Sequence, residues 1–341
     1  MRRCLQFLVY FCNMTTTELT IFVKKQAIEL GFEACGVAKA ARISESEIVR
    51  YRTWLEGKYH AGMKYMENHL EKRFDPRLLV EGCRSVIVVA LNYEPAERQN
   101  AGAPAIARFA YGKDYHDVVR AKLKVLLQAI NDTGQTVHGR AFADSAPIAE
   151  RYWAHQAGLG WMGKNHQLII PQKGSYYFLG ELMVDVDLDY DSPSSNHCGR
   201  CHRCLDACPV NALTESSGLV AKRCLSYLTI EKRGSFNPLE ASLVGKNGYI
   251  FGCDICQDVC PWNRFARGNE IPELQAKPEF ISMKRDDFEK ITEKEFQAIF
   301  SDTCLERTGY KGLLRNIKAK QEPDTDLSES SGQSLDLLLF P

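Results

Sequence analysis

Two short runs of cysteine constrain this chain more than any other feature. The first run has cysteines at positions 198, 201, 204 and 208, and a proline follows directly. This C-x2-C-x2-C-x3-C-P spacing is typical of the 4Fe–4S sites of bacterial ferredoxins. In such runs the first three thiolates hold one cluster and the fourth ligates another. The run therefore predicts Cys198, Cys201 and Cys204 on one cluster and Cys208 on a second.

A second cysteine run supplies most of the remaining ligands. Cys253, Cys256 and Cys260 follow the spacing C-x2-C-x3-C, again with a proline after the last cysteine. By the same rule, Cys260 completes the first cluster, and Cys253 and Cys256 join Cys208 on the second. Two cubanes need eight thiolates, and the two runs provide seven. Cys224 lies between the runs and is the candidate for the eighth ligand, with Cys83 as the next choice.

Structural zinc is the main alternative, because paired C-x2-C sequences also form tetrahedral zinc sites. Zinc has no use for the third cysteine of a triplet or for the C-x3-C-P ending, so two 4Fe–4S clusters are favoured. A disulfide framework is disfavoured, since nothing marks this 341-residue chain as a small secreted domain. The remaining cysteines are scattered and are expected to be reduced, which suits a cytoplasmic location: Cys4, Cys12, Cys35, Cys83 and Cys304.

Length and charge set broader limits. A chain of 341 residues suggests about two domains. Its 43 basic and 43 acidic residues balance, which argues against a general nucleic-acid-coating protein but leaves room for a local basic patch. No stretch approaches the roughly 18 apolar residues of a membrane span, so no membrane association is expected.

Residues 1–14 form an atypical extension. Its Arg2-Arg3 pair loosely resembles an export signal without a cleavage site, and a true start near Met14 is an equal interpretation.

Helical and strand patterns interleave between residues 15 and 190, which predicts an α/β (α+β) domain. The polar segment that follows predicts a domain boundary, and residues 191–266 should form the ferredoxin-like iron–sulfur domain. Residues 267–320 look helical, and residues 321–341 have a disordered composition. Predicted helices begin at the Thr15 capping box, cover 46–56 and 116–130, and run from Pro147 to about Gly158; predicted strands cover 85–93 and 176–188.

Two further stretches invite a chemical interpretation. Gly158-x4-Gly163-Lys164-Asn165 nearly spells a phosphate loop, but Asn165 replaces the magnesium-binding Ser or Thr and a helix precedes the loop. A glycine-rich turn that approaches another ligand closely is the better interpretation. Asp144-Ser-Ala-Pro147 stands before a predicted helix, where N-capping is the plain structural role.

Together these stretches resemble epoxyqueuosine reductases from about Thr15 to Lys318. The two cysteine runs are the most specific part of the resemblance, and the other motifs are specific in combination. The matching stretches are Met63–Met66, Arg108–His116, Asp144–Pro147, Gly158–Asn165 and Gly252–Asn263.

The resemblance implies a cobalamin-dependent enzyme that reduces epoxyqueuosine to queuosine at the wobble position of tRNA. It implies an α/β cobalamin-binding domain followed by a ferredoxin-like domain with two 4Fe–4S clusters. Asp144 maps onto the family's general acid and is expected to touch cobalamin. By the same resemblance, Arg108, Ser226, Asp254 and Ile255 are expected cobalamin contacts.

The resemblance also implies partners. The substrate would be the anticodon loop of a tRNA, bound through basic residues near 222–233 and 311–318, and an external donor of unknown identity would supply electrons to a monomer. The N-terminal extension and the acidic, serine-rich tail depart from the family pattern. Two alternatives stay open: another corrinoid iron–sulfur reductase, such as a reductive dehalogenase, and a non-catalytic electron carrier, which leaves the first 190 residues unexplained.

Overall fold

The computed structural model describes residues 14–216 and 218–321. The predictions for the extension 1–14 and the tail 321–341 therefore fall almost entirely outside the described residues. The α-helices are α1 (Thr16–Glu29), α2 (Glu45–Glu56), α3 (Leu70–Phe74), α4 (Tyr115–Asp132), α5 (Glu150–Gln156), α6 (Arg203–Asp206), α7 (Pro238–Asn247), α8 (Ile255–Asp258), α9 (Pro278–Ser282), α10 (Arg285–Glu289), α11 (Glu293–Phe300) and α12 (Gly309–Gln321). The strands are β1 (Ala34–Lys39), β2 (Ser85–Asn92), β3 (Ala105–Ile106), β4 (Gly139–Phe142), β5 (Trp161–Met162), β6 (Leu168–Ile169), β7 (Tyr177–Val184), β8 (Leu213–Thr214), β9 (Gly218–Leu219) and β10 (Tyr249–Phe251).

A four-stranded sheet in the order β1-β2-β7-β4 carries the N-terminal part of the chain. Every neighbouring pair in it is antiparallel. The mixture of helices and strands was predicted, but the antiparallel pairing makes this part α+β rather than α/β. The alternation of elements along a sequence does not fix strand direction, which depends on the end of the sheet at which each connection re-enters.

Strand β2 is buried along its whole length, as its continuous apolar run predicted. Side chains alternate across the two faces of a strand, so β2 contributes to two separate cores. Ile87, Val89 and Leu91 pack with residues of α1 and α4. Val88 and its even-numbered neighbours pack on the other face with Trp153 of α5. The sheet therefore has helices on both faces.

Helix α1 begins at the capping box that the sequence predicts. The Thr15 side chain accepts the Glu18 backbone N–H at 3.2 Å, and the Glu18 carboxylate accepts the Thr15 N–H at 2.9 Å. The predictions for α2 and α4 are also confirmed to within about two residues. Within the described ranges, no helix combines the length and the apolar character needed to cross a membrane.

The predicted start of α5 at Pro147 is wrong, because the helix begins at Glu150. The Ile148 N–H bonds back to the Ala146 carbonyl at 2.8 Å, a tight turn that interrupts the helical pattern. Ile148 is also buried in the core beneath α5. The residues from Asp144 to this turn therefore form a loop between β4 and α5 rather than a helix cap.

The cysteine-rich segment is joined both to the N-terminal part of the chain and to the C-terminal region. Strand β3 pairs in parallel with β10, so a segment near residue 105 runs beside a segment near residue 250. The C-terminal region is helical as predicted, though it is divided into α9–α12, and its core includes Ile106 and Phe251. Asn316 of α12 is fully buried and donates to the carbonyls of Thr229 and Ile250, both at 2.8 Å.

Candidate active site

Four of the predicted ligand cysteines lie together beside Trp161. Burial raises the pKa of Cys204 to about 11, and the thiols of Cys198 and Cys260 add to the effect. Burial also raises the pKa of Cys260, with contributions from Cys198 and Cys201. The Trp161 indole N–H donates to the Cys198 sulfur at 3.4 Å. The structure thus brings the first three cysteines of the first run together with the last cysteine of the second.

The other four predicted ligands form a second group. Burial raises the pKa of Cys253 to about 12, and the nearby thiols of Cys224 and Cys208 contribute. The pKa of Cys256 is raised by burial and by the same three thiols. The Ala212 N–H donates to the Cys208 sulfur at 3.2 Å. Cys224 therefore lies where the eighth ligand is expected, and its role as a ligand stays a prediction.

These two groups fit two 4Fe–4S clusters. Buried neighbouring thiols resist ionisation, but a bound metal centre supplies the positive charge that keeps a coordinating thiol deprotonated. Among the described residues, no three Cys, His, Asp or Glu side chains converge closely enough to hold a single metal ion. All eleven cysteines within the described ranges are free. Cys83, the other candidate for the eighth ligand, is buried in the sheet core with its sulfur 3.7 Å from the Ser85 carbonyl.

A large cavity opens between the sheet and the cysteine-rich segment. Its volume is about 1990 Å³, whereas small-molecule pockets usually measure roughly 300–1,000 Å³. Its walls include Asp144 from the loop after β4, Gly163 from the turn between β5 and β6, and Ser226. Cys224 also lines it, so the second thiol group borders the cavity. Trp161, which contacts the first group, is another wall residue.

Two of the expected cobalamin contacts, Asp144 and Ser226, lie on the walls of this cavity, and three others do not. The Arg108 N–H donates to Asp254 Oδ2 at 2.9 Å, and its guanidinium pairs with Asp258. Arg108 lines a separate depression of about 930 Å³. Asp254 is buried, with 3% of its surface exposed, and Ile255 opens α8 beside it. Cobalamin contacts of Arg108, Asp254 and Ile255 stay predictions.

Asp144 is held in the cavity by an unusual backbone and three neighbours. Its φ of 48° lies in the left-handed region, which aspartate adopts more readily than most residues. The Tyr115 hydroxyl donates to Asp144 Oδ2 at 2.5 Å, and His116 Nε2 lies 3.8 Å from the same oxygen. The Asp144 backbone N–H donates to Glu150 Oε1 at 2.6 Å. The Tyr115 ring stacks on Phe178 with centroids 4.1 Å apart, which fixes the hydroxyl beside the carboxylate.

The local charges favour a protonated tyrosine beside this carboxylate and raise the pKa of the neighbouring histidine. Burial raises the pKa of Tyr115, and the neighbouring Asp144 charge raises it further, so the hydroxyl stays a donor. Burial lowers the pKa of His116, but its hydrogen bond to Asp114 and the charges of Asp114 and Asp144 outweigh this and give a net rise. The sequence indicated only that His116 begins a helix, whereas the fold also brings its ring near Asp144.

Two glutamates behind Asp144 were not predicted. Glu181 of β7 is fully buried, and neither of its carboxyl oxygens has a hydrogen-bond partner among the described residues. Burial raises its pKa well above the ordinary value, and the adjacent Glu150 carboxyl adds to the rise. Burial and then the Asp144 charge raise the pKa of Glu150 to about 8. The sequence signal was a single acidic residue inside the apolar strand Tyr177–Val184.

The predicted basic residues differ in what they can offer a polyanion. Arg315 donates to the carbonyls of Lys232 and Gly234 at 2.7 and 3.0 Å, and its guanidinium lies over the Phe236 ring, so it serves the fold. Lys311 and Lys318 of α12 are exposed. Contact between tRNA and these basic segments stays a prediction.

Comparison with known sequences identifies relatives across most of the chain. The family described as "Epoxyqueuosine reductase QueG, DUF1730" matches residues 73–145. The "4Fe-4S double cluster binding domain" matches residues 197–263, which contain both cysteine runs. The epoxyqueuosine reductase of Cellulophaga algicola is 45% identical over 296 residues, covering 86% of this chain and 95% of that protein. The epoxyqueuosine reductase of Escherichia coli is 36% identical over 301 residues, covering 86% of this chain and 78% of that protein.

Solved structures agree with the sequence relatives. An epoxyqueuosine reductase crystallised with an epoxyqueuosine-modified tRNA-Tyr stem loop superposes with a TM-score of 0.80 at 29% identity, covering 90% of this chain and 81% of that one. The Bacillus subtilis epoxyqueuosine reductase, with its catalytic aspartate loop swung out of the active site, gives a TM-score of 0.81 at 29% identity, covering 90% and 82%. From these relatives and the double-cluster segment, this chain belongs to the epoxyqueuosine reductase family.

Proposed function

We propose that this chain reduces epoxyqueuosine in tRNA to queuosine, using cobalamin and electrons delivered through two 4Fe–4S clusters. One observation carries the proposal: Asp144 and Cys224 line the same cavity. In this proposal a proton source and an electron-transfer centre therefore border one space. Epoxide reduction needs both, because loss of the oxygen as water consumes two electrons and two protons.

The cavity has the size and position to hold cobalamin. At about 1990 Å³ it exceeds the usual small-ligand pocket, which leaves room for a large cofactor and a substrate base. Ser226 and the turn at Gly163 are wall residues that can hold the macrocycle. An added Cβ at Gly163 would lie 2.6 Å from Asn165 Oδ1 and 2.7 Å from Ile169 Cδ1, so glycine lets this turn pack tightly. Bound cobalamin would supply a nucleophilic, low-valent cobalt that side chains cannot replace.

Asp144 is proposed as the acid that protonates the epoxide oxygen. Its carboxylate reaches the cavity, and Tyr115 and His116 hold it there through a hydrogen bond and an ionic contact. The Bacillus subtilis relative was solved with its catalytic loop swung out of the active site. The position of Asp144 in a loop, with a left-handed backbone, supports the proposal that this segment of the chain presents the acid.

The proposed substrate is an anticodon loop that carries epoxyqueuosine. The relative solved with a modified tRNA-Tyr stem loop supports this class of substrate. Single-stranded loops can place an unstacked base in a pocket, so only local positive charge is needed. The balanced charge of the whole chain is compatible with that mode of binding. Because tRNA is the substrate, we place the enzyme in the cytoplasm.

The division of the chain into functional parts is also a proposal. Residues 15–190 would bind cobalamin, residues 191–266 would bind the clusters, and residues 267–320 would brace them. The cavity draws most of its walls from the first two of these parts and also contacts Cys304 and Arg307 of the third, and α12 is tied to the second by Asn316.

The decisive experiment is anaerobic reconstitution with iron, sulfide and cobalamin, followed by single-turnover reaction with an epoxyqueuosine-containing stem loop and a low-potential one-electron reductant. We expect conversion to queuosine by mass spectrometry only when both cofactor types are present. Full activity without cobalamin would refute the proposal. Dehalogenation of aryl halides without reaction on the stem loop would favour the dehalogenase alternative. Reduction of a protein acceptor alone would favour the electron carrier.

A further inference from the structure

Glu181 is the most unusual polar residue of the sheet. It is fully buried on β7, and its neighbours across the strands are Val88 and Phe142, which offer its carboxyl no charge or donor. Neither carboxyl oxygen has a hydrogen-bond partner among the described residues. An ionised carboxylate in such a place is very costly, because burial of an unpaired charge loses its hydration. Glu181 is therefore a neutral acid that carries a proton.

Glu150 connects this buried acid to the cavity. It lies on the cavity wall, and its Oε1 accepts the backbone N–H of Asp144 at 2.6 Å. The Glu150 charge also raises the pKa of Glu181, so the two carboxyl groups are neighbours. Two neighbouring carboxyl groups favour holding a proton, since repulsion prevents both from ionising together. The three side chains form a series that leads from the sheet interior through Glu150 to Asp144.

The stoichiometry of the proposed reaction gives this series a role. Each turnover consumes two protons, one to open the epoxide and one to release its oxygen as water, whereas the Asp144 carboxyl holds one. We infer that Glu150 and Glu181 form a proton reservoir that reloads Asp144 within a turnover while the tRNA base covers the cavity. The inference rests on the proposed function.

Every transfer in this scheme is balanced. Asp144 gives its proton to the substrate oxygen, and Glu150 then protonates the Asp144 carboxylate. The reloaded Asp144 then gives the second proton to the leaving hydroxyl group, which departs as water. Glu181 keeps its proton, which stabilises the ionised Glu150 beside it, and solvent reprotonates Glu150 after the product leaves. The two electrons come from the external one-electron donor through the bound cofactors.

The surrounding charges are compatible with a proton-loaded pair at neutral pH. Burial and then Asp144 raise the pKa of Glu150 to about 8, against the lowering effects of the backbone hydrogen bond from Asp144 and of Arg151 and His116. The packing strands add no cation. The ordinary carboxyl pKa is 4.5. As the pH rises, the unfolded chain therefore loses this proton at a lower pH than the folded chain does. The contribution of Glu150 to folding stability therefore falls as pH rises between about 4.5 and about 8.

The test compares Glu150→Gln and Glu181→Gln with Glu45→Gln, an exposed glutamate of α2. Glutamine keeps an oxygen for the Asp144 N–H and cannot release a proton. In the reconstituted enzyme we expect Glu150→Gln to lower kcat about tenfold, below the roughly 100-fold loss typical of a direct acid. Its KM for the stem loop should not change. The wild-type decline of kcat above about pH 8 should disappear in Glu150→Gln. In Glu181→Gln the decline of kcat should move to lower pH, because the glutamine amide can donate a hydrogen bond to an ionised Glu150 and so lower the pKa of Glu150.

Infrared spectroscopy reads the proton state without substrate. The wild-type enzyme should show a carboxylic-acid carbonyl band that titrates near pH 8 and is missing in Glu150→Gln, and the Glu45→Gln spectrum should match the wild type. Wild-type kcat with an unchanged alkaline limb in Glu150→Gln would overturn the inference, as would absence of that band in the wild type. If the wild-type enzyme does not convert the stem loop, the proposed function fails, and the infrared result still decides whether the pair is protonated.

Discussion

At the scale of single residues, Asp144 is the sharpest test of the proposed chemistry. Asp144→Asn keeps the shape of the side chain and can still accept the Tyr115 hydrogen bond, but it has no proton to give. We expect both clusters, cobalamin and stem-loop binding to be retained, with turnover reduced about 100- to 10,000-fold. Single-turnover mass spectrometry measures the loss. The matched control is Asp132→Asn at the exposed end of α4, and native turnover in Asp144→Asn would leave Tyr115 or an ordered water as the proton source.

Cys224 is a second test at this scale, because it connects a thiol group to the cavity. Cys224→Ala should lose the cluster held by Cys208, Cys253 and Cys256, and iron content should fall to about half, since each cubane carries four irons. The cluster of the other group should keep its spectrum. The control is Cys83→Ala, which removes a thiol from the sheet core and should leave iron unchanged. Full iron in Cys224→Ala would exclude it as a ligand.

The sequence allowed some residues of the site to be predicted and not others. Cysteine spacing determined the two thiol groups, because cluster ligation depends on local intervals along the chain. The role of Asp144 as the acid was predicted from the family resemblance and not from the sequence around it. Glu150 and Glu181 were missed because their environment forms where strand β7 packs against helix α5, and these two elements are separated along the sequence. Only the acidic residue within an apolar strand hinted at Glu181.

At the scale of elements, patterns predicted where helices and strands form better than how they meet. The apolar run of β2 and the capping box of α1 are local signals, and both were confirmed. The direction of strand pairing and the late start of α5 depend on contacts between distant segments. The late start of α5 follows from burial of Ile148 against the sheet, and no local sequence pattern predicts that burial.

The contact between β1 and α5 can be tested directly. Gly36 of β1 has no space for a side chain, since an added Cβ would lie 2.0 Å from the Ala157 carbonyl oxygen just after α5. A backbone atom cannot move aside without displacing the chain around it. Gly36→Ala should therefore lower the free energy of unfolding by about 1–3 kcal/mol. Urea denaturation measures this change, and Gly102→Ala in an exposed loop is the control. Equal stabilities for the two variants would show that α5 moves freely on the sheet.

At the scale of the whole molecule, the proposed tRNA binding predicts a salt dependence. Removing one lysine that binds a phosphate should reduce the slope of log affinity against log salt by about 0.7–0.9. Lys311→Ala with Lys318→Ala should therefore weaken stem-loop binding at low salt and reduce the slope by about 1.4–1.8. The control replaces two exposed lysines outside the predicted segments, Lys25 and Lys290. Fluorescence anisotropy across a salt series measures both, and identical slopes would place the RNA on another surface.

The parallel pairing of β3 with β10 also bears on how such a gene can evolve. A cluster-binding segment that folded alone could be transferred as a separate domain and fused to other enzymes. Here one side of that segment is completed by residues near position 105, and the buried Asn316 fastens its other side to the last helix. Splitting the gene at the polar stretch after residue 190 would leave both products with exposed apolar surface. If this segment carries electrons as proposed, it can be inherited only together with the rest of this chain.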